Sequence, residues 1–180
     1  MAATTSLLTI EDFERLPDDV AENHELVDGE LVDVSGNNPR HNWLRDYIIA
    51  TMLPWVAERS LGRVISEQEY DFEGNAHGPD VSFFSPAKAL LVDLEKRVQR
   101  FVPDLAIEIA SNSDTYEGLI RKKDRYLRAG VSEVWLISPG IREVAIHTPG
   151  GIRALRGEDA ITTPLLPGFS ITVERLFQGL

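Results

Sequence analysis

Val102-Pro103-Asp104-Leu105-Ala106-Ile107-Glu108-Ile109-Ala110 decides the fold class. Its apolar run is continuous rather than alternating, which marks a strand buried on both faces of a sheet. One carboxylate, Glu108, interrupts it. Downstream, Asp114 with Glu117 three residues later predicts a helix start, and Gly130 its stop. Val134-Trp135-Leu136-Ile137 then forms a second buried strand, followed by strands over Ile141 to His147 and Ile152 to Leu155. A turn-rich stretch with Pro164, Pro167 and Gly168 leads to a short helix at Val173 to Phe177. Working upstream, Pro86 to Arg97 reads as helical, while Val64 to Phe72 and Asp80 to Phe84 read as strands around a glycine-rich turn at Gly74 to Gly78. Pro39 suits the first turn of a helix carrying Leu44, Tyr47, Ile48 and Trp55, which Pro54 kinks or ends. Gly36 to Pro39 breaks the strand before it. That strand is the second arm of an N-terminal β-hairpin, His24 to Val27 and Glu30 to Val34, closed by Asp28-Gly29, a pair that supplies the positive φ angles of a tight turn. Thr9 with Asp12 starts a short helix from Glu11 to Leu16. The order predicts an α/β (α+β) fold with a mixed central β-sheet flanked by helices.

The 180 residues, 43% hydrophobic and 26% charged, fit a single domain spanning 1–180. A chain of this size buries roughly 70% of its unfolded surface, so it needs no metal or disulfide merely to fold. Zero cysteines exclude disulfide frameworks, thiolate zinc sites, iron–sulfur clusters and cysteine nucleophiles. The longest apolar runs, such as Ala89-Leu90-Leu91-Val92, fall far short of the roughly 18 residues of a membrane span. The N-terminus also lacks a signal-peptide pattern, and the chain is expected in the cytoplasm with no membrane partner.

Net charge is −11 and the pI near 4.8, which argues against a polyanionic partner. The distribution softens this, because ten acids against Arg15 alone fall within residues 1–35. Arg121, Lys122, Lys123, Arg125 and Arg128 form a basic run broken only by Asp124, a pattern that is usually a solvated helix face.

Glu108 is the most informative position, since a carboxylate among Leu, Ala and Ile needs a cation, a proton or several donors. A structural ion pair is the plain alternative. Asp80 starts its own strand after Gly78-Pro79 and meets Glu108 if the two strands pair. A hard divalent cation resolves the repulsion of two such carboxylates. A nearby lysine would complete a hydrolytic site by holding water and countering phosphate charge. The helix after Glu108 offers Lys122 and Lys123, and helical geometry alone leaves both open, as it leaves open that both snorkel to solvent. His41 shares a helix face with Leu44 and Ile48 and points inward, where a satisfied core histidine is the default. Glu25 lies on the first hairpin strand. His24, His77 and His147 show no metal-ligand spacing, and there is no phosphate loop, dinucleotide fingerprint or nucleophile elbow.

One ordered series runs through the chain: Glu25-Leu26-Val27-Asp28-Gly29-Glu30-Leu31, His41, Pro79-Asp80-Val81, and Pro103-Asp104-Leu105-Ala106-Ile107-Glu108-Ile109-Ala110-Ser111. It continues with Ser113-Asp114-Thr115-Tyr116, Lys122, Tyr126, Ala129-Gly130-Val131 and Val134-Trp135-Leu136. This series strongly resembles the Uma-two family of proposed restriction endonucleases, formerly a bacterial domain of unknown function, from about Thr9 to Phe177. That family belongs to the PD-(D/E)XK nuclease superfamily, so the resemblance implies an endonuclease that hydrolyses nucleic acid, chiefly DNA, with magnesium or manganese. It implies Asp80 and Glu108 as metal carboxylates, with the Ile109 carbonyl as a further ligand. The superfamily lysine two residues after the glutamate is Ala110 here. The resemblance places it on the next helix, four residues before Tyr126, which selects Lys122. Glu25 and His41 match family positions bordering the site. Two departures, Ser111-Asn112-Ser113 for Ser-Pro-Ser and Ser138-Pro139 for Asp-Pro, remove no ligand. The rival expectation is a non-catalytic binding or regulatory protein that keeps the nuclease fold. Nucleases that cut both strands often act as homodimers, and the strands after Ile141 would offer an edge.

Overall fold

The computed structural model describes residues 7–34, 38–111 and 114–180. In chain order, helices α1 (Ile10–Glu14) and α2 (Asp18–Ala21) precede strands β1 (His24–Val27) and β2 (Glu30–Asp33) and helix α3 (Pro39–Glu58). Strands β3 (Arg63–Ser66), β4 (Glu69–Asp71), β5 (Ala76–His77) and β6 (Val81–Phe84) follow, then helix α4 (Pro86–Ala89) and strand β7 (Val98–Gln99). Strand β8 (Leu105–Ile109), helix α5 (Tyr116–Arg128) and strand β9 (Glu133–Ser138) come next. Strands β10 (Glu143–Thr148), β11 (Gly151–Arg156), β12 (Ala160–Ile161) and β13 (Ile171–Thr172) and helix α6 (Val173–Leu176) complete it.

The decisive apolar run is β8, an interior strand of a six-stranded mixed sheet ordered β11-β10-β9-β8-β6-β3. It runs parallel to β9 across α5 and antiparallel to β6, with all five residues buried. Leu105, Ile107 and Ile109 join Leu44, Ile48, Met52 and Val56 of α3 in the main core. Side chains alternate along a strand, so Ala106 and Glu108 turn to the opposite face. There Ala106 packs with Tyr126 of α5, with Tyr70 of β4 and with Phe72 just after it. This alternation aims Glu108 at α5.

A second sheet, β2-β1-β5-β4-β7, carries the hairpin. Asp28 and Gly29 have φ of +51° and +83°, as the turn requires. The reading of Val64 to Phe72 as one strand is corrected: β3 pairs with β6 in the large sheet, while β4 pairs with β5 in the small one. The physical cause lies opposite, where Pro79 has no N–H to donate and the ladder breaks. Glu67 answers with a positive φ of 53°, and its N–H reaches the Pro79 carbonyl at 3.1 Å. One long ribbon is thereby shared between two sheets, and Asp80 emerges at the fork.

The helix expected over Pro86 to Arg97 stops at Ala89. Buried Gln99 captures the chain instead, donating to the carbonyls of Asp93 and Lys96 and accepting from Asp93 N–H. The N-cap of α5 is Thr115, which accepts from Gly118 N–H at 3.0 Å; Asp114 turns back to Ser111 N–H at 2.7 Å. Helix α3 continues through Pro54 to Glu58, capped by Asn38. The strand break read at Gly36 and the pair Asn112-Ser113 lie outside the described residues. Among the described residues, no helix is long and apolar enough to cross a membrane.

Candidate active site

Three bodies of structure meet around Glu108. The six-stranded sheet supplies Glu108 and, just before β6, Asp80. The five-stranded sheet supplies Glu25 from β1 and His77 from β5. Helix α5 supplies Lys122, Arg125 and Tyr126, whose spacing of three and four puts them on one face.

Glu108 is held by two donors: Tyr126 Oη at 2.7 Å from Oε1 and Lys122 Nζ at 3.2 Å from Oε2. Lys122 also reaches Glu25 Oε1 at 2.9 Å, so one ammonium serves two carboxylates. Asp80 accepts from Ile109 N–H at 2.6 Å, which ties it to the strand bearing Glu108, and its other oxygen meets His41 Nε2 at 3.1 Å. Glu25 further accepts from Gly78 N–H at 3.0 Å and faces His77 Nδ1 at 2.8 Å. The sequence-predicted residues Asp80, Glu108, Ile109, Lys122, Glu25 and His41 thus all line one cleft of about 950 Å³.

Lys123 is not among the cleft residues; its ammonium pairs with Asp124. The basic run is therefore neither a free phosphate-binding stripe nor wholly a solvated face. Arg121 lies 3.9 Å from Glu117 and Arg128 4.0 Å from Glu73, while Arg125 turns inward to Asp28 at 2.9 Å. Sequence reasoning passed over His77 and Arg125. Arg125 is three residues beyond Lys122 and on its face, a signal present in the spacing; His77 carries none, because only the pairing of β5 with β1 brings it to Glu25.

Electrostatics divide the two glutamates. Burial pushes the Glu108 carboxyl up, and the neighbouring Asp80 and Glu25 charges add to this against Lys122, leaving it at about 8. Burial acts on Glu25 too, but Lys122 and the His77 hydrogen bond outweigh it and hold it at about 2. His41 is raised despite burial, because Asp80 favours its protonated form. Burial raises the Tyr126 hydroxyl well above its ordinary range, as does the Glu108 charge beside it, so it stays a neutral donor. Tyr126→Phe is expected to lower stability by about 1–2 kcal/mol, because Glu108 loses a buried donor. Urea denaturation reads this, and an unchanged midpoint would refute it.

The donor chemistry fits a hard divalent cation. Asp80, just before β6, and Glu108 of the neighbouring β8 are both carboxylates, and the raised Glu108 reflects the cost of ionising it in a buried place beside Asp80 and Glu25, a cost that a cation would offset. Among the described residues no group of three His, Cys, Asp or Glu side chains could hold a metal, so remaining ligands must be a carbonyl such as that of Ile109, water or substrate.

No curated protein matches the chain. The crystal structure of a "putative nuclease belonging to DUF820" from Anabaena variabilis ATCC 29413 has the same fold, with a TM-score of 0.84 at 19% identity over 94% of this chain and 97% of that one. Residues 10–174 match the Uma2 family, described as "Putative restriction endonuclease", and with nearly the whole length matched the chain belongs to that family.

Proposed function

We propose that the chain is a metal-dependent endonuclease that hydrolyses phosphodiester bonds of nucleic acid, DNA foremost. The observation that carries this reading is the Lys122 ammonium 3.2 Å from Glu108, with Asp80 bound to the same strand through Ile109 N–H. Asp80 and Glu108, with the Ile109 carbonyl, would hold magnesium or manganese. Such a cation polarises phosphate and makes water a better nucleophile near neutral pH. Lys122 orients that water and counters charge on the phosphate. His41 fixes the rotation of Asp80, and Tyr126 that of Glu108. Glu25 keeps Lys122 from collapsing onto Glu108 alone.

A second reading, a binding protein without catalysis, has one observation in its favour. Nine carboxylates and only four Lys or Arg side chains are among the residues lining the cleft, a poor surface for a polyanion unless cations intervene. Titrating magnesium and manganese into the protein by calorimetry, followed by plasmid DNA and RNA cleavage with and without chelator, separates the readings. Metal binding with chelator-sensitive cleavage is expected. Metal binding with no cleavage of either polymer would favour the binding protein. Among the described residues one such centre is formed, so cutting both strands would take a homodimer or two successive visits.

A further inference from the structure

Arg125 belongs to the basic run that the hydrolytic reading leaves unused, and His77 is a buried imidazole with no part in it. The two touch: Arg125 Nη1 stands 2.9 Å from His77 Nε2. A guanidinium has five N–H donors and no acceptor, so at this contact the imidazole nitrogen must be the acceptor. Nε2 therefore carries no proton. An imidazolium would set N–H against N–H at hydrogen-bond distance. The ring proton is left on Nδ1, 2.8 Å from Glu25 Oε2, a carboxylate that can only accept.

We propose that Asp28, Arg125, His77 and Glu25 form a positioning relay for Lys122, in which Arg125 locks His77 as the neutral Nδ1–H tautomer and His77 fixes the carboxylate that holds the Lys122 ammonium. Each link is placed by a different element. Asp28, at the hairpin turn, takes Arg125 Nη2 on both oxygens at 2.9 and 3.0 Å. The turn is itself pinned by Asn75 Oδ1, which accepts from Asp28 N–H at 2.7 Å. His77 binds Glu25 Oε2, which leaves Oε1 for Gly78 N–H and Lys122 Nζ. Tyr126 and Phe72 close around the ring, their centroids 5.7 and 6.0 Å away. The charged groups facing His77 are Glu25 from β1 and Lys122 and Arg125 from α5. Burial, with the two cations, holds protonation of the ring below its ordinary range against the pull of Glu25.

Both ring nitrogens are thus committed, and His77 is a positioning residue rather than a base or a ligand. Arg125 is likewise spent on Asp28 and His77 and unavailable to a phosphate. Without the relay, Glu25 loses the partner of its Oε2 and keeps only Gly78 N–H beside Lys122 on Oε1, so Lys122 is drawn toward Glu108, the carboxylate proposed to bind metal. The effect on turnover rests on the nuclease reading; the tautomer does not.

Two measurements on the full chain test this. The first is the ring nitrogen spectrum of 15N-histidine-labelled protein, with the His77 signals assigned from His77→Asn. An Nδ1-protonated pattern is expected, constant from about pH 8 to about pH 6 where a free histidine would titrate. In Arg125→Leu, His77 should change tautomer or begin to titrate. An Nε2-protonated or doubly protonated His77 in the wild type, or an Arg125→Leu spectrum identical to wild type, would overturn the relay. The second is cleavage: His77→Leu is expected to lower kcat roughly tenfold or more with little change in KM, as loss of an orienting partner does. His77→Asn, which keeps a donor toward Glu25, should recover most of that loss. Equal loss in both variants would also overturn it. A wild-type chain that cleaves nothing defeats the nuclease reading, while the ring nitrogens still decide the relay.

Discussion

Lys122→Met should lose about 3–5 kcal/mol of folding stability, the usual penalty when one partner of a buried charge pair is removed. The ammonium is the shared counterion of Glu25 and Glu108, and its side chain is only 19% exposed. Methionine fills much of the volume and leaves the buried Glu25 charge without its ammonium. The pH dependence has a definite sign. Glu25 sits near 2 in the folded chain against an ordinary 4.5, so its contribution is full above about 4.5 and fades as pH falls toward 2. Lys122→Met lacks that contribution, and its deficit should be widest near neutrality and shrink in acid. Urea denaturation at about pH 7 and at about pH 3 measures both. A variant as stable as wild type at neutral pH would dismiss the shared-counterion picture. Under the nuclease reading, turnover should also fall by about 10²-fold or more, as when a preorganised charge at the reacting phosphate is lost.

Glu108→Gln should do the reverse for stability while removing the same activity. Burial and the carboxylates of Asp80 and Glu25 raise Glu108 to about 8 from 4.5, so the folded protein takes up a proton that the unfolded chain has released. Stability from this residue is greatest below about 4.5 and declines as pH rises toward 8. Glutamine abolishes the decline. Its single oxygen accepts from Lys122 as Glu108 Oε2 does, while its amide replaces the oxygen that accepts from Tyr126, so the lost Tyr126 bond offsets part of the gain. In metal-free protein a gain on the order of 1–3 kcal/mol is expected near pH 8, and almost none near pH 4. Calorimetry should show magnesium and manganese binding lost. A destabilised Glu108→Gln, or one that binds metal like wild type, would contradict the assignment. A stabilised variant that no longer binds metal would make Glu108 a residue whose charge is kept for function at the expense of the fold.

Much of this site is legible in the primary structure because it follows local rules. A continuous apolar run with one carboxylate gives β8 and Glu108, and the Asp-Gly turn gives the hairpin that carries Glu25. Spacing on one helix narrows the lysine to two candidates, and the family resemblance picks the one that the structure brings to Glu108. What escapes is whatever depends on distant partners. The split of 63–71 between two sheets is decided by a missing donor at Pro79, on the other side of a turn. Residues 90–97 leave the helix because Gln99 competes for their carbonyls. His77 becomes significant only when β5 lies beside β1.

The fork at Pro79 also bears on what partial loss of structure does. The five-stranded sheet is made of strands of two to four residues, whereas the six-stranded sheet holds the large core under α3. Weakly packed segments open at lower free energy than the core. If the smaller sheet loosens first, Glu25 and His77 depart together, while Asp80 stays tethered to Ile109 and Glu108 to Tyr126. Such a molecule keeps both carboxylates in place and has lost the anchor of its lysine, while the larger sheet stays folded.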